Sequence, residues 1–178
     1  MMRGVVRHAA VCALFLILLG SANAASTASK KFGEWAKLRN DRHGFLIAYP
    51  AKVFPQQANR TTDEGQVFYS SDGRARLLVG AFANEQATTL RAYRRFLLKE
   101  NYSGADIDYA PVRRRWFILS GTIGDEIFYQ RVNFTCGGRL INSWAMIYPK
   151  AENRFYDRVV EAIAPTYKPG SGRSGNCR

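Results

Sequence analysis

The sequence predicts an α+β domain in which an antiparallel β-sheet is flanked by helices. Three observations carry this expectation. Short β-prone runs, each ended by proline or by turn residues, recur along the chain. Two stretches switch to the helical period, one in mid-chain and one near the end. The last strand-like run is apolar on both sides, so its sheet must be covered on both faces.

Ahead of the domain, Met1 to His8 carry Arg3 and Arg7 and no acid, Ala9 to Leu19 are apolar, and Ala22 and Ala24 stand where a signal peptidase needs small residues. Residues 1–24 are therefore expected to be a cleavable signal peptide. The apolar run is about half of the roughly 20 residues that span a bilayer, which argues against an anchor. Cys12 opens the run instead of following it, which argues against lipidation. Residues 25–31 have nothing to bury and read as a flexible leader.

A single domain is expected over 32–167. Phe32 to Asn40 is ambiguous between a strand and a helical turn. His43 to Tyr49 reads as a strand halted by Pro50. Gln66 to Ser71 and Arg74 to Phe82 flank Asp72-Gly73, a pair suited to a tight hairpin turn. From Thr88 to Glu100 a helix is expected, with Thr88 or Thr89 as N-cap. Its spacing puts Leu90, Tyr93, Phe96 and Leu97 on one side and Arg91, Arg95 and Lys99 on the other. Asp106 to Val112, with Pro111, reads as an edge strand. Arg115 to Thr122, Ile127 to Cys136 and Arg139 to Tyr148 follow as a meander, turned at Ile123-Gly124-Asp125-Glu126 and at Gly137-Gly138. In the last of these, Leu140, Asn142, Trp144 and Met146 share one face and Ile141, Ser143, Ala145 and Ile147 the other. A final helix, Asn153 to Ala164, presents Phe155, Val159, Ala162 and Ile163 and stops at Pro165. Residues 168–178 form a Gly/Ser-rich tail.

Removal of the signal leaves Cys136 and Cys177. An even pair in an oxidising compartment reads as a disulfide, which would tie the tail to the domain. The whole chain carries 26 Lys+Arg against 14 Asp+Glu, a net +12, and the exported part keeps about +10 of it. Such an excess attracts polyanions. For an exported, periplasmic or secreted protein these are an anionic envelope component or an acidic protein partner, and nucleic acid is not expected.

The run His43-Gly44-Phe45-Leu46-Ile47-Ala48-Tyr49-Pro50-Ala51-Lys52-Val53-Phe54, the hairpin, the mid-chain helix, the meander and the closing Ala162-Ile163-Ala164-Pro165-Thr166-Tyr167 resemble the PsbP-like superfamily. That group includes an extrinsic photosystem subunit and DcrB-like bacterial periplasmic proteins, and the chain also looks like uncharacterised exported alphaproteobacterial proteins. The resemblance covers residues from about 40 to 167. It implies an α/β/α sandwich and a class of mostly non-catalytic accessory domains. Phe54 stands where the family often has tryptophan, and the two cysteines are not part of its general pattern.

The candidate anion-binding residues are Arg91, Arg94, Arg95 and Lys99 on the helix and Arg113, Arg114 and Arg115 beside Trp116. Like charges four apart weaken a helix slightly, so the stripe needs a counter-charge, internal or external. The competing reading is a small hydrolase using His43 with a carboxylate, since His43 alone among the exported residues titrates near neutrality as an ordinary base. No serine elbow or free thiol accompanies it. Asp63-Glu64 and Asp125-Glu126 are neighbours in turns, a placement that faces solvent. No cofactor motif or metal-ligand set is found, and neither group is expected. Asn59, Asn101 and Asn133 head glycosylation triplets that matter only in a eukaryotic secretory pathway.

Overall fold

The computed structural model describes residues 32–58, 62–172 and 177; the expected signal peptide (1–24), the leader (25–31), Asn59 and residues 173–176 and 178 of the tail lie outside them. Nine strands are described: β1 (Trp35–Arg39), β2 (Leu46–Pro50), β3 (Gln56–Gln57), β4 (Gly65–Tyr69), β5 (Arg76–Ala83), β6 (Asp106–Tyr109), β7 (Trp116–Ile123), β8 (Glu126–Thr135) and β9 (Leu140–Pro149). Helix α1 (Leu90–Phe96) precedes β6, and α2 (Asn153–Ile163) follows β9. The ambiguous segment at 32–40 is thus a strand, paired antiparallel with β2.

The main sheet is seven-stranded in the order β3-β4-β5-β9-β8-β7-β6, and every pairing is antiparallel. The β4–β5 hairpin turns at Asp72-Gly73 because glycine accepts the φ of +72° there. Asp72 braces the turn by accepting from Ser70 Oγ (2.6 Å) and Arg74 N (3.1 Å). These contacts, that of Ser70 first, hold its carboxyl well below the usual carboxylate range. β6 is the edge strand its proline suggested.

β9, in the middle, shows why both faces need cover. Leu140, Trp144, Met146 and Tyr148 pack under α2 and the β1–β2 pair, together with Phe45, Ile47, Phe68, Leu77 and Val159. Ile141 and Ile147 face the other way, where Leu97 and Tyr102 lie over Phe117, Leu119, Phe128 and Val132. Each such large apolar side chain contributes about 1.5–3 kcal/mol on burial.

Helix α1 starts at Thr89, whose Oγ1 accepts from Ala92 N at 3.2 Å. Its last turn, Leu97–Asn101, widens to π-type hydrogen bonding, so the regular helix is shorter than the spacing predicted. Two aromatic residues expected on buried faces are exposed. Phe96 is 52% exposed because Leu97 and Tyr93 take the inward positions and Phe96 only stacks beside Tyr93 at 6.0 Å. Phe155 is 39% exposed because the stripe of α2 is Tyr156, Val159, Val160 and Ile163, an i, i+3, i+4, i+7 set that leaves Phe155 at its margin.

The chain after α2 is held in place before it reaches the cysteine. Lys168 and Leu46 exchange both main-chain hydrogen bonds (2.8 and 3.0 Å), and Gly172 N donates to His43 O. Asn142, wholly buried, accepts from Gly170 N (2.7 Å) and donates to Thr135 Oγ1 (2.9 Å) and Gly170 O (3.4 Å). Cys136 and Cys177 then form the predicted disulfide, closing a loop of 41 residues.

Candidate functional site

Arg113, Arg114 and Arg115 are the tip of the β6–β7 hairpin. Beyond β6 the two arms stay joined through Ile118 N to Pro111 O (3.0 Å) and Arg113 N to Trp116 O (2.8 Å). The tip is therefore a short turn with three consecutive guanidiniums at the edge of the sheet. Arg115 O accepts from Phe134 N (2.8 Å), which fixes the tip to β8.

Trp116 begins β7 on the face opposite α1, since Phe117 and Leu119 point into the α1 cluster. The guanidiniums of Arg113 and Arg131 lie 5.7 and 5.1 Å from the Trp116 ring centre. Contacts of this kind are worth about 0.5–1 kcal/mol at exposed sites and leave the outward N–H groups free for an oxyanion. Arg131 reaches Trp116 because β7 and β8 pair in register, and its Nε donates to Asn133 Oδ1 at 3.2 Å. Sequence spacing did not single out Arg131, because its position depends on that register. Tyr109, 56% exposed, sits opposite Ser120 on the same face.

Helix α1 starts at the same end of the sheet. Asn84 ties its approach to the β8–β9 turn by donating to Thr88 O (2.9 Å) and Gly138 O (2.8 Å). Tyr93 packs edge-on against Phe134 at 6.0 Å, so one ring separates the helix from the strand pair that carries the arginine tip. Arg91, Arg95 and Lys99 are exposed, Arg94 is half-buried with its Nε unpartnered among the described residues, and Lys99 pairs with adjacent Glu100 at 3.1 Å. The start of α1 and the tip thus share an end of the sheet, while Arg113 folds onto the opposite face.

Arg74 bridges Asp72 (2.7 Å) and Glu152 (2.6 Å), and Arg76 meets both carboxylate oxygens of Glu126 at 3.0 Å. Glu126 opens β8, whereas the tip contacts its far end, roughly 25 Å away at about 3.4 Å per residue. Among the described residues, Arg91, Arg94, Arg95, Arg113, Arg114, Arg115 and Arg131 have no carboxylate partner.

His43 is a turn residue. It is 8% exposed, its N–H donates to Asn40 Oδ1 (2.6 Å), and its Nε2 meets no partner among the described residues. Burial, then the nearby Arg42 charge, push its pKa down. Among the described residues His43 makes no hydrogen bond to a carboxylate, and Asp63 lies 3.9 Å from Arg42.

No protein-family model matches the chain, and no curated protein matches its sequence. Its fold does match a solved one. Cyanobacterial PsbP (CyanoP) from Synechocystis superposes with a TM-score of 0.56 at 12% identity, over 86% of this chain and 98% of that one. A protein from Bacteroides thetaiotaomicron is a more distant likeness, with a TM-score of 0.41 at 15% identity over 70% of this chain and 44% of that one. The fold is therefore PsbP-like, an α+β arrangement of antiparallel sheets and two helices.

Proposed function

We propose that this is an exported, non-catalytic accessory domain that docks on an anionic envelope component, or on an acidic protein partner, through the arginines at one end of its sheet. The observation that carries the reading is that Arg113, Arg114, Arg115 and Arg131 have no carboxylate partner among the described residues, while Arg74 and Arg76 at the far end are paired. A guanidinium cluster without counter-charge repels itself unless an outside anion neutralises it. The Trp116 indole gathers the guanidiniums of Arg113 and Arg131 around one ring, and guanidiniums suit planar recognition of phosphate or carboxylate oxygens. Tyr109 and Val112, both exposed in the same hairpin, suit the boundary layer of a lipid surface. Export is supported by the signal-like start of the sequence and by the Cys136–Cys177 bridge, which belongs to oxidising compartments. The PsbP-like fold supports an accessory role without naming a ligand.

The test is co-sedimentation of residues 25–178 with phosphatidylglycerol vesicles and with phosphatidylcholine vesicles across a salt series. Retention on the anionic vesicles alone, falling as the screening length drops below about 10 Å, is the expected result. The triple variant Arg113→Ala, Arg114→Ala, Arg115→Ala should lose most of it. Salt-dependent capture of an acidic protein without vesicle binding would select the protein-partner arm. Salt-insensitive retention, or none in either assay, removes the proposal.

A further inference from the structure

Helix α1 and its widened last turn cover β7, β8, part of β9 and the Phe82 end of β5, and they leave the same face open over β4 and the rest of β5 and β9. A groove of about 500 Å³ opens there, within the range of small-molecule sites. Its floor is low because three of the residues in register across β5 and β9 are small: Gly80 faces Ser143, and Ala145 stands opposite Leu78. Tyr93 and Tyr102 form one wall.

Two features define what fits. The first is a neutral polar relay on the floor. Tyr102 O–H donates to Gln130 Oε1 (2.9 Å), and Gln130 Nε2 donates to Ser143 Oγ (2.8 Å). Ser143 thus accepts one hydrogen bond and keeps its own proton to give. The second is charge. In a chain with 26 Lys+Arg, the described residues that line the groove include no base and one acid, Glu64. A carboxylate or phosphate entering it meets repulsion and no counter-ion. A neutral chain with a carbonyl meets largely apolar walls and, on the floor, the Ser143 hydroxyl, with Thr62, Tyr93 and Asn101 as further polar groups of the lining.

We infer that this groove binds the acyl part of a neutral carbonyl compound, with Ser143 O–H donating to the carbonyl oxygen. The site is separate from the arginine tip, so either proposal stands or falls without the other.

The test is fluorescence titration of residues 25–178 with laurdan, a neutral aromatic ketone bearing a lauroyl chain. Saturable, blue-shifted emission is expected, displaced by monolaurin below its aggregation concentration and more weakly by laurate. Ala145→Phe, which fills the floor, should weaken binding at least tenfold. Ser143→Ala, a substitution the fold will bear, should weaken it roughly three- to tenfold, the range of one neutral hydrogen bond. The triple arginine variant should bind as the parent does. The inference is overturned if the parent shows no saturable shift, if Ser143→Ala binds within twofold of the parent, if a natively folded Ala145→Phe variant does so, or if laurate displaces better than monolaurin.

Discussion

Replacing Asn142 by alanine tests whether one buried amide holds the C-terminal segment on the domain. Its Oδ1 is the partner of Gly170 N at 2.7 Å, and its Nδ2 serves Thr135 Oγ1 at 2.9 Å. Thr135 Oγ1 still donates to Gly170 O without it, so the alanine variant strands one group outright, the Gly170 N–H. An orphaned buried donor costs about 1–3 kcal/mol and the lost second bond about 1 kcal/mol more, giving a total near 3 kcal/mol. With a urea m-value of about 2 kcal/mol/M, the unfolding midpoint should fall by roughly 1.5 M while m stays constant. Asn142→Asp sharpens the test. Its carboxylate can accept from Gly170 N but cannot donate to Thr135, and it places a charge at a wholly buried position. That variant should be less stable than Asn142→Ala at neutral pH and recover part of the loss in acid, where the carboxyl is protonated. A loss below about 1 kcal/mol for Asn142→Ala, or no acid recovery for Asn142→Asp, would refute the clamp.

Other outcomes follow from the same geometry. Mutating both Cys136 and Cys177 to serine should cost about 4 kcal/mol by the chain-entropy relation for a loop of 41 residues, read as a lower midpoint in the same urea assay. Gly170→Ala puts a Cβ against His43 O and Phe45 N, so it should destabilise by about 1–3 kcal/mol, seen as a lower melting temperature. Thr89→Ala removes the cap of α1 and should cost about 1 kcal/mol in chemical denaturation. His43 has a folded pKa below its free value of 6.5, so in mild acid the unfolded state binds the proton first. Stability from this group is complete above about pH 6.5 and declines as pH falls below it, and His43→Gln should flatten that part of a stability-versus-pH curve.

Local chemistry made much of the fold legible. Asp72-Gly73 announces its turn, the alternation along Leu140 to Tyr148 announces a doubly covered strand, and two cysteines downstream of a signal-like start announce their bridge. What stayed hidden depends on partners distant in sequence. Arg131 joins Trp116 only through the β7–β8 register, and Asn142 reads as a polar interruption until Gly170 arrives beside it. Phe96 and Phe155 follow the helical period closely enough to look buried, but the neighbouring Leu97 and Tyr156 take the inward places. The groove has no sequence signal of its own, because it is made by what α1 fails to cover and by the smallness of Gly80, Ser143 and Ala145.

The position of β9 governs how this structure can be reached. It is the last strand along the chain and the central one in the sheet, pairing with β5 on one side and β8 on the other. Until it inserts, β3 to β5 and β6 to β8 are two separate ribbons, each with a bare inner edge able to pair with another molecule. Joining them brings Ala83 to Leu140 and Arg76 to Ile147, contacts of long sequence separation that place folding in the slow, millisecond-to-second class. The nascent chain therefore passes through an interval of two unsealed edges, and that is when it is most exposed to misassembly.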